Sequence, residues 1–284
     1  VGKEGGSVMD NKRRKFLKMA GATVLAGISA PAVVKLSSTS AVASGGGGHE
    51  APAAGHGNES GHGEEQPSGV RLGMVIDMRK FYQDQGMLEE AIAACVKAHN
   101  VPQIPDPKSE IKWIWKTGFG NVFPEHSQKL RSEKVKDNQF PALCNHCDNP
   151  SCVKACPTKA TFVVEKNGIV AMDFHRCIGC RFCMAACPYG ARSFNWQDPR
   201  PFIKDYNPDF PTRMRGVVEK CNFCGERLAL GLEPACVEAC NGTGAMVFGD
   251  LNDPHSEVRK VLDQEFTIQR KPAAGTKPSV FYIV

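Results

Sequence analysis

The sequence predicts an α+β fold made of small β-sheets and short helices, with irregular loops around groups of cysteine residues. Three observations lead to this prediction. Twelve of the 13 cysteines lie within residues 144–240, in three groups of four. Two β-branched pairs, Val163-Val164 and Ile169-Val170, flank the turn sequence Lys166-Asn167-Gly168 and indicate a β-hairpin. Residues 87–96 have the periodicity of a helix with one apolar face.

The first 43 residues are interpreted as an export signal and are set apart from the folded body. The basic residues Lys12-Arg13-Arg14-Lys15 precede a weakly apolar run from Met19 to Val34, and the small-x-small sequence Ala41-Val42-Ala43 follows. The run is too short, and too rich in alanine and glycine, to be a comfortable membrane span. Paired arginines before Phe16-Leu17-Lys18 resemble a twin-arginine signal. The signal predicts a location in the periplasm or at the extracytoplasmic face of the cytoplasmic membrane.

Residues 44–69 are predicted to be a disordered Gly/His linker, because this composition cannot bury enough apolar surface to fold. The folded body is expected to cover residues 70–284. The net charge of +5 is confined to residues 1–43, so the remainder of the chain is neutral overall. This balance argues against a nucleic-acid partner. The chain has no apolar run of about 20 residues that would predict a transmembrane helix.

Three groups of cysteines carry the functional prediction. They are Cys144-x2-Cys147-x4-Cys152-x3-Cys156-Pro157, Cys177-x2-Cys180-x2-Cys183-x3-Cys187-Pro188 and Cys221-x2-Cys224-x11-Cys236-x3-Cys240. The second group has the spacing with which bacterial ferredoxins bind 4Fe–4S clusters. Three thiolates of such a loop converge on one cluster, and the fourth reaches a second cluster. The first group has two extra loop residues, and the third has a longer insertion.

Other uses of cysteine fit these spacings less well. Repeated C-x-x-C pairs that end in C-P make a poor disulfide framework, and the body is large enough to fold without disulfides. Zinc sites use two C-x2-C pairs with a longer spacer and no trailing C-P. Covalent haem requires C-x-x-C-H, but no histidine follows any of these pairs. The three groups therefore predict 4Fe–4S clusters.

The trailing cysteine of each group predicts how the ligands are shared. Groups one and two exchange their fourth ligands, as in a two-cluster ferredoxin. The first predicted cluster is held by Cys144, Cys147, Cys152 and Cys187, and the second by Cys177, Cys180, Cys183 and Cys156. This arrangement predicts an inner ferredoxin-like domain with two clusters over residues 140–197.

Four stretches carry a resemblance to a known family. They are Cys144-Asn145-His146-Cys147-Asp148-Asn149-Pro150, His175-Arg176-Cys177-Ile178-Gly179-Cys180-Arg181, Cys187-Pro188-Tyr189-Gly190-Ala191-Arg192 and Phe248-Gly249-Asp250-Leu251-Asn252-Asp253-Pro254. The chain resembles the iron–sulfur subunits that accompany molybdopterin oxidoreductases and membrane quinone-reactive complexes, and especially those of transmembrane complexes of sulfur and sulfate metabolism. The resemblance implies two interleaved ferredoxin-like domains, the outer one formed by residues 70–139 and 198–284 with one cluster.

The family has four cysteine groups, and the resemblance implies that this chain retains only the end of the first. Phe81 takes the place of that group's first cysteine, and Cys95 looks like its last. The family's pairing then implies a third cluster held by Cys221, Cys224, Cys236 and Cys95, with Cys240 free. In the alternative, Cys95 is an ordinary buried thiol and Cys240 is the fourth ligand. Either arrangement gives three 4Fe–4S clusters and one spare cysteine.

No catalytic motif accompanies the cysteines, since the body lacks a G-x-G-x-x-G after a strand, a P-loop and a G-x-S-x-G. The predicted function is therefore electron relay by a carrier subunit that is not itself an enzyme. The resemblance implies an integral membrane quinol-reactive subunit of the polysulfide-reductase type as partner, with a multihaem cytochrome c at the other face. The alternative is the iron–sulfur subunit of a molybdopterin reductase or a periplasmic hydrogenase.

Several further residues are given structural expectations. His146 and His175 lie beside cluster cysteines and are expected to pack, although either could hydrogen-bond a sulfur. Residues 111–115 are expected to form a strand on the ferredoxin sheet, and residues 277–284 an edge strand or a partner contact. The basic residues near the groups are expected on a solvated face; they are Lys154, Lys159, Arg176, Arg181, Arg192, Lys220 and Arg227.

Overall fold

Four small β-sheets and nine short α-helices alternate along residues 69–126, 132–240 and 242–284, which are the part of the chain that the computed structural model describes. This content confirms the predicted α+β class. The predicted export signal lies outside the described residues, as does the predicted linker apart from Gly69. Within the described ranges, none of the helices has the length and apolar character needed to cross a membrane.

The secondary-structure elements are short and are numbered here in chain order. The strands are β1 (Leu72–Asp77), β2 (Ile114–Gly118), β3 (Gln139–Leu143), β4 (Thr161–Val163), β5 (Val170–Met172), β6 (Ser193–Phe194), β7 (Val218–Glu219), β8 (Met246–Asp250) and β9 (Val280–Ile283). The helices are α1 (Met78–Gln83), α2 (Gly86–Ala98), α3 (Phe119–Val122), α4 (Glu133–Asp137), α5 (Ser151–Lys154), α6 (Phe182–Ala186), α7 (Gly225–Ala229), α8 (Ala235–Ala239) and α9 (Glu257–Gln264). Short 3₁₀ turns lie at Pro124–His126, Arg200–Phe202 and Pro272–Ala274.

The largest sheet has the strand order β8-β1-β9. β1 pairs antiparallel with β8 and parallel with β9, so the C-terminal strand is an edge strand, as predicted. Met74, Val75 and Ile76 of the central strand are all buried, and Val258 of α9 packs against Val75 on one face. The sheet joins the two segments of the predicted outer domain; the domain boundaries themselves stay a prediction.

The remaining sheets each contain two strands. β4 and β5 form the predicted hairpin, with Thr161 opposite Met172. The strand expected over residues 111–115 begins later, at Ile114, and pairs with β3, which lies at the start of the predicted inner domain. The reason for the later start lies in the residues before Ile114, because the backbone N–H of Lys112 donates to Ser193 Oγ at 2.9 Å and is not available to a strand partner there.

Helix α2 has the amphipathic character that the sequence predicts. Leu88, Ala91 and Cys95 are buried on one face, at the spacing that brings residues onto the same side of a helix. This face packs against α8, which carries a cysteine of the third group. Packing between these two helices therefore brings Cys95 close to the third group, although Cys95 and Cys236 are about 140 residues apart in the sequence.

A buried ion pair ties the irregular segment before β7 to the rest of the fold. Arg213 Nη2 lies 2.7 Å from Glu219 Oε2, and both side chains are almost completely buried. The same carboxylate accepts hydrogen bonds from Trp113 Nε1 at 2.9 Å and from Asn195 Nδ2 at 2.6 Å. Arg213 also donates to the carbonyl oxygen of His99 at 2.6 Å, just after α2. One carboxylate thus joins three separate segments.

We expect Glu219→Ala to lower the free energy of unfolding by about 3–5 kcal/mol, because the buried guanidinium of Arg213 would lose its counter-charge. The midpoint of anaerobic chemical denaturation of the iron-loaded protein measures the loss. Asp198→Ala is the matched control, since Asp198 pairs with Arg200 at an exposed position and its removal should leave the midpoint unchanged. Equal midpoints for the two variants would show that the buried pair does not stabilise the fold.

Candidate iron–sulfur centres

The cysteines predicted to hold the first cluster come together after β3. Cys144 and Cys147 follow this strand directly and are buried, Cys152 lies in α5, and Cys187 lies at the end of α6. The pKa of Cys147 is raised to about 12, mainly by burial and then by the neighbouring sulfurs of Cys144, Cys152 and Cys187. The four predicted ligands are therefore close enough to influence one another.

The second set lies nearer to the surface. Cys177 and Cys180 are half-buried in the loop before α6, whereas Cys183 is buried within that helix. Burial raises the pKa of Cys183, Arg192 counteracts this effect, and the sulfurs of Cys152 and Cys177 add to it, so Cys183 is near a cysteine of the first set as well as one of its own. Cys156 is half-buried two residues after α5. Burial would raise its pKa, but hydrogen bonds that include the Thr158 hydroxyl outweigh this effect and lower it.

The turn between Cys177 and Cys180 depends on Gly179. This residue has a φ of +69°, in the left-handed region that glycine adopts readily. A Cβ atom at this position would clash with the carbonyl oxygen of Gly216 and would approach the ring of Phe194. The loop can therefore run beside the segment before β7 only because residue 179 has no side chain.

The third set includes Cys95. Cys221, Cys224 and Cys236 are all buried, and so is Cys95. Burial raises the pKa of both Cys221 and Cys236, and in each case the sulfur of Cys95 is the next largest cause. Cys224 in turn raises the pKa of Cys95. The structure thus brings Cys95 next to each of these three cysteines.

Cys240 has different surroundings. It is buried at the end of α8, and burial raises its pKa to about 11, with Glu90 as the further cause. Its sulfur also raises the pKa of Cys236. Cys240 therefore affects the pKa of Cys236, whereas Cys95 affects the pKa of both Cys221 and Cys236 and is itself affected by Cys224.

Several sulfurs accept hydrogen bonds from nitrogen. Arg192 Nη2 lies 3.0 Å from Cys152 Sγ. The backbone N–H groups of Phe223 and Ala235 donate to Cys221 Sγ and Cys224 Sγ, both at 3.4 Å. Such donors favour sulfur that carries negative charge, as a cluster-bound thiolate does.

The expectation that the basic residues near the cysteine groups lie on a solvated face is wrong for two of them. Arg192 and Lys220 are buried, the latter with 1% of its surface exposed. Lys220 Nζ donates to the carbonyl oxygen of Cys221 at 2.8 Å and also to that of Val170. Burial lowers the pKa of Lys220, and the nearby sulfur of Cys144 counteracts this effect. The other basic residues near the groups are exposed, except for the half-buried Arg227.

These buried cations test whether the residues fit 4Fe–4S clusters. Among the described residues, neither Arg192 nor Lys220 forms an ion pair with a carboxylate; their polar contacts are to sulfur, hydroxyl and carbonyl groups. An oxidised 4Fe–4S core with four thiolates has a net charge of about −2. Buried positive charges next to clustered cysteines suit such an anion, so the residues fit the cofactor.

The two histidines next to cluster cysteines differ in burial. His146 is fully buried, its ring stacks on Phe223 with 3.7 Å between centroids, and its Nδ1 accepts a hydrogen bond from the Val170 N–H. Burial lowers the pKa of His146 well below its usual range, with Lys220 as the next cause. His175 is exposed. Packing is thus the observed role of His146, as expected.

A third histidine, His99, was not identified from the sequence. It is buried, with Nε2 at 2.8 Å from Glu226 Oε1 and Nδ1 at 3.6 Å from Cys95 Sγ. Burial would lower the pKa of His99, but hydrogen bonds with Cys224, Cys95 and Glu226 raise it to about 12. The available signal was its position four residues after Cys95, which places both on one side of the chain as α2 ends.

An apolar patch surrounds the second set of cysteines. Ile178 and Phe182 are 68% and 61% exposed, and Trp196 is also exposed. The guanidinium of Arg181 lies 4.7 Å from the centroid of the Trp196 ring. We call Ile178, Arg181, Phe182 and Trp196 the second-group patch. All of its members except Trp196 are direct neighbours in sequence of a cysteine of the second set.

We expect Gly179→Ala to lower the free energy of unfolding and to distort the loop that holds Cys177 and Cys180, because the added methyl group clashes with the Gly216 carbonyl oxygen. Gly190→Ala is the matched control, since Gly190 has a similar φ of +64° but nothing within 4 Å of its Cβ position. The control should lose about 1 kcal/mol from backbone strain alone. Gly179→Ala should lose about 1–3 kcal/mol more from overpacking. Anaerobic denaturation with iron analysis measures both, and equal losses would contradict the clash.

Comparison with known proteins agrees with these centres. Residues 135–200 and 205–251 match the 4Fe–4S dicluster domain. An Hdr-like menaquinol oxidoreductase iron–sulfur subunit 1 from Archaeoglobus fulgidus is 40% identical over 241 residues, which cover 77% of this chain and 85% of that protein. The iron–sulfur cluster-binding subunit of menaquinone reductase from Nitratidesulfovibrio vulgaris is 35% identical over 240 residues, covering 75% of this chain and 89% of the relative.

A third relative comes from sulfur metabolism. The B subunit of polysulfide reductase from Wolinella succinogenes is 40% identical over 163 residues, which cover 57% of this chain and 75% of that protein. The matched domain, these relatives and the clustered cysteines lead to the same conclusion. The chain belongs to the family of 4Fe–4S dicluster iron–sulfur subunits, which are non-catalytic electron carriers of membrane-associated oxidoreductase complexes.

Proposed function

We propose that this subunit relays single electrons through three 4Fe–4S clusters, at the extracytoplasmic face of a membrane complex of quinone and sulfur metabolism. The observation that carries the proposal is the meeting of Cys95 with Cys221, Cys224 and Cys236, which supplies four buried sulfurs for a third cluster. Bound 4Fe–4S clusters supply reversible one-electron transfer. The chain's own residues hold the clusters, exclude water and supply donors and cations beside the sulfurs.

The proposed ligand sets follow the exchange of trailing cysteines. The first set is Cys144, Cys147, Cys152 and Cys187; the second is Cys177, Cys180, Cys183 and Cys156; the third is Cys221, Cys224, Cys236 and Cys95. Two observations support the assignment: the sulfurs of Cys144, Cys152 and Cys187 all raise the pKa of Cys147, and Cys95 is the sulfur with the largest effect on the pKa of Cys221 and Cys236. Cys240 is left without a cluster in this arrangement.

The burial of Phe81 supports a count of three clusters. Phe81 is completely buried in the main apolar core, together with Leu88 of α2. A side chain of phenylalanine size thus stands where the family has a ligand. In the family, the absent cluster lies at the end that contacts a molybdenum catalytic subunit, so we propose that no such subunit binds here directly. A purified complex with a molybdopterin-containing protein against this subunit would contradict that.

We expect Cys95→Ser to lower the iron content from about twelve to about eight atoms per chain, because one four-iron cluster loses a ligand. Iron and sulfide analysis of anaerobically purified protein gives the count. The matched control is Cys240→Ser, another buried cysteine next to Cys236, which should keep about twelve irons. The reverse result, with loss only in Cys240→Ser, would assign the fourth ligand to Cys240.

The proposed location and partners have separate support. The location follows from the predicted twin-arginine signal over residues 1–43. Relatives described as subunits of a menaquinol oxidoreductase, a menaquinone reductase and a polysulfide reductase support an integral membrane quinol-reactive subunit of the polysulfide-reductase type as partner. A multihaem cytochrome c is the partner that we propose for the opposite face.

The second-group patch is the surface we propose for the membrane partner. Exposed apolar side chains next to the least buried cysteines form the kind of contact area that a redox partner covers. Arg181 adds a cation and an aromatic contact, a residue type enriched at protein interfaces. Docking there would bring the partner close to the second set of cysteines.

We expect Phe182→Ser to slow quinol-dependent reduction of the clusters about tenfold, which corresponds to about 1.4 kcal/mol of lost binding. The measurement uses the complete membrane complex at limiting subunit concentration. Phe266→Ser is the matched control, because Phe266 is also highly exposed but lies far in sequence from all cysteine groups. Unchanged rates in both variants, with about twelve irons each, would place the membrane partner elsewhere.

A further inference from the structure

We propose that His99 is a positioning residue that donates a hydrogen bond to the sulfur of Cys95 and thereby raises the reduction potential of the third cluster. The inference rests on the proposed function, because it requires Cys95 to be a ligand of that cluster. A hydrogen bond to a ligand sulfur stabilises the more negative, reduced state, so it raises the potential.

The direction of the hydrogen bond follows from the neighbours of Nδ1. This nitrogen lies 3.0 Å from the carbonyl oxygen of Cys95 and 3.6 Å from its Sγ. A carbonyl oxygen can only accept a hydrogen bond, so Nδ1 must carry the proton. The same N–H is then shared between the carbonyl oxygen and the sulfur. The sulfur of Cys224 is also close, since it lies within 4.8 Å of the ligand atoms of His99 and Glu226.

The ring of His99 is held from several sides. Nε2 contacts Glu226 Oε1 at 2.8 Å, and the other oxygen of Glu226 accepts a hydrogen bond from Asn222 Nδ2 at 2.8 Å. The ring stacks on Trp113 with 4.6 Å between centroids, and Phe210 packs edge-on at 4.9 Å. With 1% of its surface exposed, His99 has little contact with water. The donor is therefore fixed in place and is not exchanged for solvent.

The first and third sets have different donors. At the first set, the guanidinium of Arg192 donates to Cys152. At the third set, backbone N–H groups donate to Cys221 and Cys224, and the side-chain donor is an imidazole that a carboxylate orients. In the proposed relay, the third cluster is the last one at its end because the fourth is absent. A donor that adjusts its potential would therefore act on the point of electron entry or exit.

The test is His99→Phe in the iron-loaded protein. Phenylalanine keeps an aromatic ring against Trp113 and Phe210 but has no N–H. We expect about twelve irons per chain and a shift of one cluster's midpoint potential to a lower value, with the other two unchanged, in a redox titration followed by EPR. His175→Phe is the matched control, because this exposed histidine lies two residues before Cys177, and it should leave the third cluster's potential unchanged. Unaltered potentials in His99→Phe with full iron content would overturn the inference.

A second measurement covers the case in which His99→Phe loses the cluster. Wild-type protein grown with ¹⁵N-histidine should show a ¹⁵N hyperfine coupling in pulsed EPR of the reduced third cluster, identified as the signal that Cys95→Ser removes. Absence of that coupling would also overturn the inference. Wild-type protein with only about eight irons would instead overturn the proposed three-cluster relay. The two failures are therefore distinguishable.

Discussion

The contact between α2 and α8 is the interaction on which the third centre depends. Neither helix contains a complete set of ligands, and α2 precedes the third group by more than 100 residues. Burial of Leu88 and Ala91 against α8 positions the helix, and Cys95 lies on the same face. Apolar packing between two helices thus positions the fourth cysteine of the third set, whereas the cysteines of the other sets lie close together in the sequence.

The negative charge of clustered sulfurs in the protein interior is compensated by cationic side chains and hydrogen-bond donors of this chain. Thiolates and 4Fe–4S cores are anionic, and burial without compensation is unfavourable. Arg192, Lys220 and His99 lie beside the sulfurs, and backbone N–H groups donate to Cys221 and Cys224. The pair of Arg213 and Glu219 then fixes the segments that surround them.

The two ends of the proposed relay differ in surface and in surroundings. The second set of cysteines is half-buried under exposed apolar side chains, which suits contact with another protein. The third set is deeply buried and has a histidine, held by a carboxylate, next to two of its sulfurs. The chemistry of the clusters is common to both ends, so the side chains around them must supply the difference.

Local spacing and periodicity were enough to predict the α+β class, the β4–β5 hairpin and the apolar face of α2. The resemblance to the family came from the stretches around the cysteines. The sequence also predicted the ligand sets, the domain boundaries and the extracytoplasmic location, which stay predictions. Three features could be found only in the folded chain: β2 pairs with β3, Arg192 and Lys220 are buried, and His99 contacts Cys95 and Glu226. These features depend on contacts between residues far apart in the chain, and no local pattern specifies which distant segments meet.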